Sequence, residues 1–447
     1  MAYAPHTLDD REAMLAAIGV GSVDELFADI PDSVRARDFA IPPPLTEQEV
    51  RRELTRLAGR NRIPEVSFLG AGAYRHLVPA AVMEVIGRSE FATAYTPYQP
   101  EVSQGTLQSI YEFQTLVCEL TGMEVASASH YDGATATAEA ALMACRLTHR
   151  DTVAISSAVN PQVRRVLDTY CSGPGIRVIE VPADIAEGGS GLTPIDAAES
   201  SLDEHVACLV VQQPNFFGGI EPMAELAANA HKHGALFVAV VEPTSLAILE
   251  APGAYGADIV AAEGQPLGIP LSFGGPCVGL MAARMDSVRQ MPGRLVGATR
   301  DAAGRRGYVL TLQAREQHIR REKAASNICT NQALCALAAT AYLSAVGPEG
   351  LREVAELSMV QTRHAVSALE AAGVGQRRFS APYFAEAAVR IPDAKRRHAA
   401  LADQGILAGF PLEDAYPALR NCLLVAATEL TTDDDVARLV EALEATA

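Results

Sequence analysis

Lysine is scarce in this chain: among 447 residues only Lys232, Lys323 and Lys395 carry a side-chain amine. Chemistry that needs a lysine nucleophile is therefore confined to three positions. Positive charge is short altogether, since 36 Lys and Arg face 54 Asp and Glu, for a formal net charge of −18. Nucleic-acid binders carry a basic face, so a phosphate backbone is not the expected main partner, and small molecules or proteins are. The eight cysteines, at 118, 145, 171, 208, 277, 329, 335 and 422, include no CxxC pair and no grouping with histidine at metal-ligand spacing. They read as reduced, mostly buried thiols, and no metal is expected. No stretch reaches the ~20 consecutive apolar residues of a membrane span, and residues 1–10 lack a basic region followed by an apolar run. A soluble, cytoplasmic protein with no membrane association is the expectation.

Hydrophobic residues make up 49% of the chain and charged residues 20%, which is ordinary globular usage. The length exceeds one typical domain and suits a large domain with a smaller one attached. Residues 1–65 read as a helical arm. Ser22 to Glu25 and Thr46 to Glu49 match the capping box, Pro42-Pro43-Pro44 is a stiff spacer, and Val50, Leu54 and Leu57 recur at helical spacing.

From residue 66 the pattern changes. Short apolar runs at 153–155, 176–181, 206–211, 236–241, 258–262 and 277–282 alternate with helical stretches. Near-continuous apolarity implies strands buried on both faces, and the helices between them supply the crossovers of a parallel sheet. The expected class is α/β: a mainly parallel doubly wound sheet in a large domain over 66–335, followed by a smaller C-terminal α+β domain over 336–447.

In such sheets ligands bind beyond the C-terminal ends of the strands. Three features gather there. His130, Asp132, Gly133 and Thr135 precede a helical run, where free amides and the helix dipole could hold an anion, or where Asp132 and Thr135 simply cap a turn. Glu242 ends the 236–241 strand. Gln265, in Glu263-Gly264-Gln265-Pro266-Leu267-Gly268, follows the 258–262 strand. A pyridoxal-phosphate (PLP) site needs a carboxylate for the pyridinium nitrogen and a lysine for the imine. Glu242 and Gln265 stand at those two places, and an amide cannot form an imine. None of the three lysines follows a core strand.

At these residues the chain resembles the P-protein family, glycine dehydrogenase (decarboxylating), in its two-gene form, and within it the first subunit. The resemblance runs from Thr7 to the end. It is carried by Tyr95-Thr96-Pro97-Tyr98-Gln99-Pro100-Glu101-Val102-Ser103-Gln104-Gly105-Thr106, by Tyr131 to Ala136, by Glu263 to Gly268, and by Ser326-Asn327-Ile328-Cys329-Thr330-Asn331-Gln332. It implies fold type I of the PLP-dependent transferases. It also implies a homologous, lysine-bearing partner subunit that holds PLP covalently, an α2β2 assembly, glycine as substrate, and a lipoylated H-protein that receives the aminomethyl group. This chain would then carry no covalent cofactor and would complete the active site across the interface.

The interfacial shell this reading names is Tyr95, Thr96, Tyr98, Gln99, Glu101, Ser103 and Gln104, in a loop stiffened by two prolines and rich in hydroxyl donors. A rigid surface turn is the other reading of that loop. His130 could stack on a ring or be a hydrogen-bonded core residue, and Asn327, Thr330, Asn331 and Gln332 could line the interface or cap a helix. Nine arginines between 284 and 321 leave that segment at +6, which suits either a docking face or a solvated loop. Two further readings remain at this point: an independent PLP aminotransferase or decarboxylase using Lys323, and a non-catalytic regulator that reuses the fold.

Overall fold

A computed structural model describes residues 5–446 apart from 37–39, 93, 95 and 329. The chain divides into two compact units, Met1–Arg62 and Ile63–Ala447. In the first, the helix Leu8–Ile18 opens on a Thr7/Asp10 capping box and stops at left-handed Gly19. The Ser22 to Glu25 box, expected to start a helix, opens only the five-residue 3-10 turn Val23–Phe27. There Ser22 Oγ donates to Glu25 instead of accepting an amide. Pro31 follows too soon for that turn to lengthen. The Thr46/Glu49 box does form, at the head of the helix Glu47–Ala58, and Val50, Leu54 and Leu57 on that helix stay exposed.

The second unit is built on a seven-stranded sheet. Strand β1 (Val66–Ser67) lies outside it, in parallel pairing with β13 (Ile406–Leu407). The sheet strands are β2 (Val125–Ala126), β3 (Thr152–Ser156), β4 (Arg177–Val181), β5 (Val206–Gln213), β6 (Leu236–Val241), β7 (Ile259–Glu263) and β8 (Gly279–Ala283), in the order β2-β8-β7-β6-β5-β3-β4. From β7 to β4 all neighbours are parallel, whereas β8 runs antiparallel to β7 and β2. The six expected strands are all present. The apolar runs are continuous because the sheet has a core on each face: one includes Leu209, Phe237, Ala239 and Val260, the other Val210, Val238, Ile259 and Met281. Alternate residues of a single strand thus enter opposite cores.

Beyond the sheet, β9 (Leu295–Arg300) and β10 (Arg306–Thr311) form an antiparallel hairpin that the apolar pattern did not announce. The helix Ala333–Ala371 follows. By length and composition it is apolar enough to cross a membrane, but half of its apolar window is buried, and it breaks at Gly347 before Pro348. Gly347 has φ +63°, a conformation that costs other residues dearly. The C-terminal sheet is antiparallel, with β11 (Gln376–Arg377), β12 (Glu386–Arg390), β15 (Cys422–Ala426) and β14 (Phe410–Pro411) in that spatial order. The helices Ala394–Asp403 and Asp433–Ala445 contribute Leu401, Leu439 and Leu443 to its core.

Candidate functional site

The site is assembled where β5, β6 and β7 end together. Glu242 directly follows β6, and its carboxylate turns onto the next residues. It accepts from the Thr244 amide (3.1 Å), the Ser245 amide (2.7 Å) and Thr244 Oγ1 (2.7 Å), capping the 3-10 turn Pro243–Ala247. Both oxygens are engaged locally. The residue keeps some exposed surface, but its carboxylate end is enclosed, and burial raises its pKa against these bonds.

Gln265 stands two residues beyond β7 and is 4% exposed. Its Oε1 accepts from the Tyr74 amide (2.9 Å) while its Nε2 donates to the Tyr74 carbonyl (3.0 Å) and the Ile269 carbonyl (2.8 Å). One amide thus clasps both backbone groups of Tyr74. The same segment is held a second time: Glu386, on β12, accepts from the Ala71 amide (2.6 Å) and the Tyr74 hydroxyl (3.0 Å). Burial raises the Glu386 pKa to about 7, even though both of these bonds favour the carboxylate. Beside it, His76 Nδ1 meets Glu429 at 2.7 Å. The space left among Tyr74, His76, Glu242, Thr244, Phe384 and Glu386 is about 20 Å³, room for little more than one water.

The expected anion cup is also spoken for. Asp132 and Thr135 form a reciprocal capping box at the head of the helix Gly133–Thr148, with the Thr135 amide donating to Asp132 Oδ1 (2.8 Å). The Gly133 amide donates to Glu263 Oε2 (2.9 Å), and Glu263 Oε1 accepts from the amides of Gln265 (2.9 Å) and Val278 (3.2 Å). A carboxylate from β7 therefore sits where a ligand anion would, and burial lifts its pKa to about 7. Only glycine fits at 133, because a Cβ there would lie 2.6 Å from the Glu263 nitrogen.

The candidate loop is gathered elsewhere, on the hairpin side. Tyr95 lies outside the described residues. Gln104 pins the loop's end to the hairpin: its Nε2 donates to the Tyr308 carbonyl (2.9 Å) and its Oε1 accepts from the Tyr308 amide (2.9 Å). Tyr98, half exposed, is edge-on to His318 (6.0 Å between centroids) and beneath the Arg294 guanidinium (5.8 Å). Arg294 is buried and faces the buried Glu316 at 3.8 Å. The Tyr98 amide donates to the Thr96 carbonyl (2.9 Å). Gln99 and Glu101 are exposed around the turn Pro100–Val102, and Ser103 precedes the helix Gln104–Thr121 without a side-chain capping bond.

His130 is fully buried, yet neither ring nitrogen has a hydrogen-bond partner among the described residues, so the hydrogen-bonded core histidine expected as one reading is not what is found. Burial without a partner lowers its pKa to about 4 and keeps the ring neutral. Asn331 Nδ2 donates to the Ala128 carbonyl (3.1 Å) and Ser129 Oγ (2.7 Å), and the Ala128 amide donates to the Arg294 carbonyl (2.9 Å). Those bonds bring the His130 segment, Asn331 and the Tyr98 loop to one side of the molecule. Asn327 is exposed, Thr330 is half-buried, and Gln332 makes no side-chain capping bond at the head of the helix Ala333–Ala371.

Sequence reasoning did not single out Tyr74, Glu263, Glu386 or Arg294. A glutamate inside the apolar run of β12 was the available signal for Glu386, and an acid closing β7 was the one for Glu263. Of the nine arginines, Arg294 and Arg315 turn inward, Arg315 onto the Met291 and Gly293 carbonyls, so the segment is not one uniform charged face. Lys232 pairs with Glu199, Lys395 with Asp414, and Lys323 is exposed in a 3-10 turn.

The architecture is shared by chains of very low identity. A NifS-like protein aligns with TM-score 0.61 at 15% identity over 85% of this chain and 98% of its own. The sphingosine-1-phosphate lyase of Burkholderia pseudomallei K96243 aligns with TM-score 0.65 at 14% over 92% and 93%. The fold is fold type I of the PLP-dependent enzymes. A crystal structure of glycine decarboxylase (P-protein) of the glycine cleavage system, in inhibitor-bound form, is 45% identical with TM-score 0.92 over 100% of both chains. The sequence profile of the glycine cleavage system P-protein matches residues 1–443. The probable glycine dehydrogenase (decarboxylating) subunit 1 of Moorella thermoacetica is 53% identical over 99% of each chain, and that of Thermomicrobium roseum 51% over 100% of each. This chain belongs to the glycine cleavage system P-protein family.

A covalently held PLP does not fit this chain's own strand ends. Gln265, beyond the end of β7, is an amide with all three of its bonds made inside the protein, none of the three lysines lies there, the Gly133 amide is taken by Glu263, and about 20 Å³ is far too little space for a cofactor.

Proposed function

We propose that this chain is the cofactor-free subunit of a two-subunit glycine decarboxylase. A homologous lysine-bearing subunit holds PLP, and this chain completes the active site across the interface in an α2β2 assembly located in the cytoplasm. The complex decarboxylates glycine and passes the aminomethyl group to the lipoyl arm of H-protein. What carries the reading is Gln265: the position that a catalytic relative would fill with lysine is committed to Tyr74 and Ile269. The subunit 1 designation of the relatives points to a second subunit.

In this reading the contribution of the chain is the Tyr98 loop. Its backbone is stiffened by prolines, its end is pinned by Gln104 to Tyr308, and the Tyr98 phenol is set by the Arg294 guanidinium. A rigid phenol can donate to substrate without reorganising during the reaction.

The test is reconstitution with the lysine-bearing homologue, measuring glycine–bicarbonate exchange with and without this chain. Full exchange by the homologue alone sinks the proposal. Tyr98→Phe and Tyr95→Phe are expected to lower exchange while the complex stays assembled, and unchanged rates in both would remove the loop from the site. A visible cofactor absorbance from this chain expressed alone, lost in Lys323→Ala, would instead make it an independent PLP enzyme.

A further inference from the structure

We propose that this chain binds a small oxyanion, a phosphate group or a dicarboxylate, at a second site on the C-terminal sheet, away from the ends of β6 and β7. A cavity of about 340 Å³ is lined there by Arg377, Arg378, Arg390, Ser380 and two carboxylates, Glu187 and Glu370, of which Glu370 accepts from the Arg377 amide (3.0 Å). Arg378 and Arg390 bring two guanidinium groups together there, on one carboxylate oxygen, in a chain of net charge −18, while the Arg377 guanidinium lies over the Tyr383 ring. Pairing of β11 with β12 sets this up: Gln376 lies opposite Arg390, and the Arg378 amide continues the ladder by donating to the Ala388 carbonyl (2.9 Å).

Arg378 is the built part of the site. It is 8% exposed and lies over the Phe379 ring at 5.0 Å. Its Nη2 donates to the carbonyls of Ile185 and Ala186 at 2.9 Å each, and its Nη1 has no hydrogen-bond partner among the described residues. That Nη1 is itself closed to solvent, and a buried guanidinium donor left without an acceptor is costly. The carboxylate it meets belongs to Glu187, whose Oε2 stands 3.6 Å from Nη2 and also bonds the Arg390 guanidinium.

Glu187 shows what the site accepts, because its oxygen is held between two arginines as a bound oxyanion would be. Its side chain is 75% exposed on a loop next to Gly188, and exposed ion pairs hold only weakly. A soluble dianion that meets the Arg378 and Arg390 guanidinium groups together can therefore displace it. The ligand class follows from the donors: oxygens in a plane or tetrahedron, two negative charges, and a size compatible with 340 Å³.

The full chain is titrated by calorimetry with inorganic phosphate and, separately, with succinate, at ionic strength fixed by chloride. Saturable binding of at least one of the two, one site per chain, is expected. Phosphate alone identifies a phosphorylated ligand and succinate alone a dicarboxylate. Arg378→Gln should weaken binding roughly tenfold or more, the equivalent of one charge-assisted hydrogen bond. Glu187→Ala, which removes the internal competitor, should tighten it severalfold. Arg390→Gln, at a half-exposed side chain, keeps the test decisive if Arg378→Gln does not fold. No saturation by either anion, or affinity unchanged by the arginine substitutions that fold, overturns the proposal.

Discussion

Replacing Gln265 is the most direct perturbation of the closed strand-end site. Gln265→Ala deletes one fully buried hydrogen bond, to the Ile269 carbonyl, and two partly buried ones to Tyr74, leaving three backbone groups to find other partners. At about 0.5–1.5 kcal/mol for each bond, with more where a buried partner is left unsatisfied, the expected loss is about 2–4 kcal/mol. Gln265→Glu sharpens the test. A carboxylate could still accept from the Tyr74 amide, but it would turn an oxygen toward two carbonyl oxygens and must be protonated to donate to either. Its folded pKa would therefore lie above its unfolded one, so the stability tied to the protonated form is present at low pH and lost as pH rises through the folded pKa. Gln265→Glu should be the least stable of the three proteins at pH 8 and recover toward or past Gln265→Ala at pH 5. Urea unfolding followed by circular dichroism gives the midpoints, and hydrogen exchange over residues 70–76 reports whether that segment loosens. A Gln265→Ala midpoint equal to wild type, with protection of 70–76 unchanged, would refute the clasp.

Glu386→Gln should flatten the pH dependence of stability. With a folded pKa of about 7 above an ordinary value near 4.5, the wild-type residue contributes stability that is complete below about pH 4.5 and fades through pH 7, up to about 3 kcal/mol; thermal unfolding of both proteins between pH 5 and 8 measures it. Arg294→Ala leaves Glu316 buried without its arginine 3.8 Å away and should cost about 2–4 kcal/mol. Arg294→Lys should recover part of that stability but less of any exchange activity, since lysine lacks the planar group that stacks on Tyr98; equal recovery of both would separate the stacking from function. Gly133→Ala drives a methyl against Glu263 backbone at 2.6 Å and should destabilise by about 2–3 kcal/mol or more, read as a fall in unfolding temperature.

The sheet was legible in the sequence because both its faces are buried. Strands such as Val206–Gln213 must be apolar at successive positions, and that pattern survives without tertiary information. The hairpin β9–β10 was not legible, because only its base is buried, through Leu295, Val296, Tyr308 and Leu310, while its tip is exposed and arginine-rich, so no apolar run is long enough to stand out. At the site, Gln265 and Glu242 could be placed because each directly follows a strand. What they bind could not. The partner of Gln265 is Tyr74, 191 residues away, and Tyr74 is fixed again by Glu386, 312 residues away. Side-chain to backbone bonds over such separations leave no periodic trace in the chain.

The chemistry of the Tyr74 clasp says why position 265 holds glutamine in particular. Tyr74 presents a donor and an acceptor to the same side chain, its amide at 2.9 Å and its carbonyl at 3.0 Å. Lysine offers three donors and no acceptor, so it could satisfy the carbonyl but never the amide; a carboxylate has the opposite failing. Only a primary amide answers both, and its second N–H is spent on Ile269. Gln265 therefore does more than withhold a nucleophile. Together with Glu263 on the Gly133 amide and Glu242 on its own turn, it leaves the strand ends made of groups that hold one another. Satisfied polar networks of this kind are rigid. A rigid sheet is what a subunit needs if its part is to present the Tyr98 loop, on the hairpin side, in a fixed position to another chain's active site.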